Sequence, residues 1–263
     1  MKKNRKFLSI LLMLTVVLSM SFAAVPACAA TNGTAISTAD DLKAMENTPG
    51  GSYYLANDIE VPANLILFTS YDAPFTGTLD GNGHAIKGYT YTASADWTEQ
   101  AALFGYAKNA TFKNLKMTEV NISLNQAGTA AALVAASENC KFTDISVSGK
   151  IVGKSLSTAA GIVAYSYEGG TLTNCKNSAD ITITNADEGS DAAGVAGFIG
   201  SASSMKNCSN SGKISISGNI EGDAFIAAGV AGIVVKATSC KNSGAVSVSA
   251  GPGDMNDACV AAG

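Results

Sequence analysis

One pattern recurs along this chain: two small residues, an aliphatic, any residue, a small residue, then usually an aromatic or aliphatic. It reads Ala101-Ala102-Leu103-Phe104-Gly105-Tyr106, then Ala131-Ala132-Leu133-Val134-Ala135-Ala136, then Ala160-Gly161-Ile162-Val163-Ala164-Tyr165. It returns as Ala193-Gly194-Val195-Ala196-Gly197-Phe198 and Ala228-Gly229-Val230-Ala231-Gly232-Ile233, and a further copy begins at Ala262-Gly263. The starts lie 30, 29, 33, 35 and 34 residues apart. A nearly fixed period of this length points to one small unit stacked on copies of itself, because each unit buries its apolar face only against its neighbours.

A second segment repeats inside the later units: Asn174-Cys175-Lys176-Asn177-Ser178, Asn207-Cys208-Ser209-Asn210-Ser211 and Ser239-Cys240-Lys241-Asn242-Ser243, each followed by an Ile-x-Ile or Val-x-Val alternation. Period two marks a strand, and the Asn-Ser and Gly-rich joints mark turns. Helical repeats of similar period need long amphipathic helices, which units rich in Thr, Ser and Val disfavour. Leucine-rich repeats need several leucines per unit, and these units have one or none. The chain is therefore expected to be all-β: a single-stranded, right-handed parallel β-helix, a solenoid in which equivalent residues of successive coils sit about 4.8 Å apart. Asn114-Leu115 and Asp144-Ile145 put an aliphatic where later coils have cysteine. That slot faces inward, and the thiol acts there as a small hydrophobe. Cys175, Cys208 and Cys240 then form one structural ladder. Asn177, Asn210 and Asn242 form another at a turn, where stacked carboxamides bond to one another and to turn backbone.

The first thirty residues set the compartment. Lys2, Lys3, Arg5 and Lys6 precede an apolar run from Phe7 to about Val25, and Ala27-Cys28-Ala29-Ala30 follows. This order reads as a secretory signal peptide over residues 1–30, cut near Ala29 or Ala30, and predicts a secreted or cell-surface protein. Pro26 and the small residues after it favour cleavage over retention as a spanning anchor, and Pro26-Ala27 is a poor match to a lipoprotein acylated at Cys28. Without the leader, thirteen basic residues face twenty-one acidic ones, a net charge of −8, and no arginine remains. Nucleic acid and anionic lipid need clustered cations, so neither is an expected partner, and no membrane insertion is expected after cleavage. Cys140, Cys175, Cys208, Cys240 and Cys259 are odd in number in a chain too long to need staples, so no disulfide framework is implied.

Residues 31–100 read as an N-terminal cap and first coils, and 101–263 as the repeats proper. Thr38-Ala39-Asp40-Asp41 is a capping box opening a short helix to about Glu46, ended by Pro49-Gly50-Gly51. That helix is the natural lid on the first coil. Tyr53 to Ile59 reads as the first strand, and Phe75 to Gly88 as strand, tight turn and strand. The segment Tyr54-Leu55 to Asp58-Ile59, with Phe75-x-Gly77-x-Leu79-Asp80-Gly81-Asn82-Gly83-His84-x-Ile86, resembles the opening of pectate-lyase-like β-helix proteins. The later coils resemble the GLUG repeats of bacterial surface proteins and of the amino-terminal regions of some immunoglobulin A peptidases. The resemblance implies a β-helix with an adhesive or carbohydrate-related role, and no particular activity.

Catalysis finds little footing. A β-helix lyase commonly uses arginine or lysine as base, and a hydrolase needs converging carboxylates; here arginine is gone and the acidic residues are scattered. The exception is a set of acidic segments ahead of equivalent repeat starts: Asp187, Glu188 and Asp191; Glu221 and Asp223; Asp254 and Asp257. Stacking would align them along one edge, able to take Ca²⁺ through oxygen ligands or to present hydrogen-bonding groups to a glycan. The plainer role for such an edge is a solvated loop face. Otherwise no cofactor is implied. Trp97, with Tyr89 and Tyr91, could stack on sugar rings, and His84 reads as structural. The favoured reading is an exported scaffold that binds polysaccharide, glycan or a host surface polymer. A β-helix carbohydrate-active enzyme and the stalk of a larger surface peptidase or adhesin are the alternatives. The last coil stops two residues in, which predicts cover from further domains or self-association.

Overall fold

The structure, a computed structural model, describes residues 33–93, 99–125, 127–186, 190–218, 225–250 and 260–262. The proposed leader lies outside them. Each coil visits four walls in the same order. In the coil that begins at Gly128 these are Gly128–Ala131, Val134–Glu138, Lys141–Thr143 and Ser146–Lys154, called walls one to four. Stacking builds sheets of 6, 5, 8 and 11 strands on walls one to four, and every strand pairing among the described residues is parallel. This is the parallel β-helix that the repeats require.

The register follows the sequence pattern closely. Ala131, Ala160, Ala193, Ala228 and Ala262 are successive rung partners on wall one. The first step departs by one residue, since Ala101 pairs with Ala130, not with Ala131. By wall two the pattern is restored, with Phe104 opposite Val134. The slip is absorbed at the small-residue corner, where Ala131-Ala132-Leu133 spans a gap that Ala102-Leu103 spans one coil earlier.

Inward positions of the strands fill the interior. Phe112 stacks on Phe142 at 5.3 Å with planes 4° apart, and Phe104 meets Phe112 edge-on at 5.1 Å. Later rungs of this column carry Leu172 and Met205. Each fully buried ring or aliphatic contributes about 1.5–3 kcal/mol of transfer free energy. Corners turn through left-handed residues: Asn114, Asp144, Asn174, Asn207 and Ser239 have φ of 51°, 55°, 56°, 55° and 55°. Asn and Asp tolerate this region best among residues with a Cβ, which is why Asn precedes the cysteine slot.

The start of the solenoid differs in part from the sequence reading. A strand, Thr34–Ile36, precedes the helix and pairs with Ser52–Leu55, so the helix is inserted between the first two rungs. Three residues without an apolar run give too weak a signal to read as a strand. Tyr53 to Ile59 is likewise two strands, Ser52–Leu55 and Ile59–Glu60, on different walls. The helix, Ala39–Ala44 with a 3₁₀ turn to Asn47, has the expected capping box. Thr38 Oγ1 accepts from Asp41 N at 3.1 Å, and Asp41 Oδ2 accepts from Thr38 N at 3.0 Å. Its apolar side, Leu42 and Met45, is fully buried in the main core.

Candidate functional site

The Asn-Cys segments lie at the corner between walls three and four. Asn177 Nδ2 donates to Asn210 Oδ1 at 2.7 Å, and Asn210 Nδ2 donates to Asn242 Oδ1 at 2.9 Å. Each carboxamide also bridges its own turn: Asn210 Nδ2 donates to Gly212 O at 2.8 Å while Oδ1 accepts from Gly212 N at 3.2 Å. Asn177 and Asn242 repeat both contacts with Ala179 and Gly244. Against this ladder lies the glycine of the Ala-Gly start. A methyl on Gly161, Gly194 or Gly229 would sit 2.4, 2.5 or 2.3 Å from the side chain of Asn177, Asn210 or Asn242. The two repeated motifs are thus one device. Where the ladder position is Met117 or Val147, the start has Ala102 or Ala132 in place of glycine.

Beside it, Leu115, Ile145, Cys175 and Cys208 are fully buried and Cys240 is half-buried, all as free thiols where cysteine. The contact with Cys208, together with burial, raises the Cys175 thiol while the same contact lowers Cys208, and burial raises Cys240 and pushes Cys140, in a different column, up to about 11. A third, exposed ladder runs along the left-handed corner. Asn174 Nδ2 donates to Asp144 Oδ1 at 2.9 Å, and Asn207 Nδ2 donates to Asn174 Oδ1 at 3.2 Å. With Ile145, Ser146 and Lys176 these residues line a shallow concavity, but their polar atoms are largely used on one another.

The Leu-Asp-Gly-Asn-Gly-His run forms a corner. Asp80 accepts from Asn82 N at 2.8 Å, from Asn114 Nδ2 at 3.0 Å and from Lys113 Nζ at 3.1 Å. Asp58 receives Lys87 Nζ at 2.7 Å, Ala85 N at 3.0 Å and His84 Nδ1 at 3.4 Å; the Lys87 contact above all brings its carboxyl down to about 2. His84 is thereby tied to a coil corner.

Of the eight residues expected to bind a ligand, Asp187, Glu188, Glu221, Asp223, Asp254, Asp257 and Trp97 lie outside the described residues. Asp191 is described. It opens the wall-one strand Asp191–Ala193, and its rung partners are the uncharged Thr158 and Ile226. Burial raises its carboxyl to about 6. Among the described residues no cluster of three His, Cys, Asp or Glu is placed to hold a metal ion. Tyr89 and Tyr91 do not form an aromatic surface: both are buried, since Tyr91, at the centre of the strand Thr90–Thr92, and Tyr89, two residues before it, turn inward onto the core.

The exposed aromatics lie elsewhere, on wall two. The outward rung positions there are Tyr106, Ala136, Tyr165, Phe198 and Ile233, so one rung lacks a large side chain. The next outward column carries Lys108 and Glu138, whose Nζ and Oε1 are 2.8 Å apart, and the exposed Tyr167 follows in the next coil. Tyr167 stacks on Tyr165 at 5.9 Å with planes 6° apart, and Tyr165 is anchored by Thr158 Oγ1, 2.6 Å from its hydroxyl. Tyr71, from the loop before Phe75, stands edge-on to Tyr106 at 5.7 Å. Tyr71, Tyr106, Lys108, Glu138 and Tyr167, with Gln100 and Glu168, line an open concavity of about 530 Å³, and an adjoining notch of about 20 Å³ that shares the first five of these residues reaches Ala136. The Glu138 carboxylate beside Lys108 holds its ammonium above the ordinary range, and partial burial raises the Tyr167 phenol. The signal for this site was in the repeat itself. Its sixth position is aromatic or aliphatic in every coil but one, and that coil has Ala136.

Comparison with known proteins follows the same lines. Residues 21–149, just under half of the chain, match the family model for the M26 IgA1-specific metallo-endopeptidase N-terminal region. No curated protein matches the sequence. Among solved structures, a candidate immunoglobulin A1 protease from Bacteroides ovatus is similar at 17% identity and a TM-score of 0.61, over 88% of this chain and 84% of that one. At that identity the likeness speaks for the fold: both chains are solenoids of stacked parallel coils.

Proposed function

We propose that this chain is an exported, non-catalytic solenoid segment of a surface or secreted protein of the IgA1-peptidase type, serving as a scaffold that holds binding surfaces in place. The observation that carries this reading is the match of residues 21–149 to a model of the region N-terminal to such a peptidase. The fold is suited to the role. Continuous hydrogen-bond ladders and side-chain columns couple each coil to the next, so outward groups keep fixed spacings. The finer elements, coils of the GLUG type and an adhesive contact with glycan or another surface polymer, belong to the same proposal, as does secretion through the leader at residues 1–30.

Two measurements test it. Fractionation and external protease shaving of cells producing the chain with its leader should find it outside the cytoplasm; full retention in the cytoplasm would remove the export claim. Purified protein incubated with immunoglobulin A1 and divalent metal should leave the heavy chain intact, whereas discrete cleavage fragments would show a catalytic protein.

A further inference from the structure

We propose that the concavity lined by Tyr71, Tyr106 and Tyr167, beside the notch at Ala136, binds one ring of an uncharged oligosaccharide. The proposal rests on the scaffold reading, giving its glycan contact a site, and does not depend on which larger protein the chain serves.

Dimensions come first. Tyr106 and Tyr165 are two rungs apart with Ala136 between them, which separates their backbone positions by about 9.6 Å. The concavity of about 530 Å³ beside them is large enough for one saturated six-membered ring with its hydroxyls. Tyr167, packed face to face on Tyr165, and Tyr71, edge-on to Tyr106, line this concavity together with Tyr106. The rings are pre-positioned: Tyr167 packs on Tyr165, which is fixed through Thr158, and Tyr106 is flanked by Tyr71. Aromatic groups lining an open concavity suit a ring whose faces are C–H-rich.

The polar groups match the edges of such a ring. Lys108 and Glu138 present a donor and an acceptor 2.8 Å apart, a spacing that neighbouring equatorial hydroxyls span, and Gln100 and Glu168 add a carboxamide and a carboxylate to the rim. A few placed polar groups in an otherwise apolar cleft are what small-ligand sites use to fix orientation. Charge selects among sugars. Lys108 is already paired, so Glu168 leaves the site net negative on an acidic chain, which disfavours uronate and sulfated polymers. A peptide adding as a strand is also disfavoured, because the wall-two strand at Val134–Glu138 is paired on both sides and offers no free backbone edge.

The test is an array of neutral hexose and N-acetylhexosamine oligosaccharides, with uronate, sulfated and polyproline arms, followed by calorimetric titration of the strongest neutral binder. Tyr71→Ala and Tyr167→Ala remove exposed rings, 63% and 49% accessible, and Ala136→Phe fills the notch. Binding at about 1 mM or tighter, weakened about 10-fold in the two tyrosine variants and abolished by Ala136→Phe with unchanged melting temperatures, is the expected result. If Ala136→Phe lowers the melting temperature, the tyrosine pair decides alone. No neutral glycan bound at about 10 mM, stronger binding to an anionic or polyproline arm, or affinity unchanged in both tyrosine variants would overturn the proposal. Such a failure leaves localisation and the intactness of immunoglobulin A1 untouched, so it is distinct from a failure of the scaffold reading.

Discussion

Replacing Asn210 with alanine should be among the most damaging single changes in the later coils. Asn210 is 1% exposed and its side chain takes part in four hydrogen bonds: two within its own turn, one from Asn177 and one to Asn242. Truncation leaves Gly212 N and O without the partner that bridges them. Asn177 and Asn242 each lose one contact but keep those to Ala179 and Gly244. An unsatisfied buried group costs about 1–3 kcal/mol. Two orphaned backbone groups and two weakened carboxamides, one in each adjacent coil, therefore add up to about 3–5 kcal/mol. Urea unfolding followed by far-ultraviolet circular dichroism reads this as a lower midpoint, with the slope unchanged if the coils still unfold together. In a double-mutant cycle with Asn177→Ala the two losses should fall short of additivity by about 1 kcal/mol or more, because the variants share one bond. A loss below about 1 kcal/mol for Asn210→Ala would refute the reasoning, since it would mean that the ladder is replaceable by water at no cost.

Gly194→Ala should destabilise by about 2–4 kcal/mol in the same assay, because its methyl would lie 2.1 Å from Gly229 O and 2.5 Å from Asn210 Cγ; a neutral effect would show that the Ala-Gly start is not fixed by the ladder. For Asp191 the pH dependence runs opposite to that of a paired carboxylate. Its folded value, about 6, lies above the ordinary 3.8, so the folded state binds the extra proton and stability falls as pH rises from about 4 through 6. The group is partly open to solvent, which reduces the effect to on the order of 1–2 kcal/mol. Asp191→Asn should remove that slope and raise stability near neutral pH, and an unchanged profile would contradict the burial argument. At the acid end Asp58, down at about 2, is stabilising above the ordinary carboxylate range, and this contribution is lost as pH falls through about 2.

The sequence revealed the architecture because a solenoid writes its fold into its period. Alternation after each cysteine, Asn-Ser turns and Ala-Gly starts map directly onto walls, corners and the coil-to-coil register. Less was legible where no repeat supports the reading. The strand Thr34–Ile36 is too short to show a period, and the one-residue slip at Ala101 is hidden because small residues occupy both alternatives. Direction was the larger obstacle. Tyr89 and Tyr91 look like surface aromatics in a polar stretch, yet the chain turns them inward. The sixth position of the repeat looks like core, yet it faces out. Period two fixes that neighbouring residues face opposite ways, but it leaves open which face is solvent until the coil is closed. The notch at Ala136 became visible only once that choice was made.

The most direct test of the stacked-coil account is its register. Thr182 and Ser215 are rung partners in adjacent coils, with hydroxyl oxygens 3.1 Å apart, and the spacing of rungs lies within the reach of a disulfide. Thr182→Cys with Ser215→Cys should cross-link under mild oxidation, read by peptide mapping in the mass spectrometer. Thr182→Cys with Ser217→Cys, displaced two residues along the strand by about 7 Å, should not. Equal or faster cross-linking of the displaced pair, or none in the aligned pair, would contradict the account.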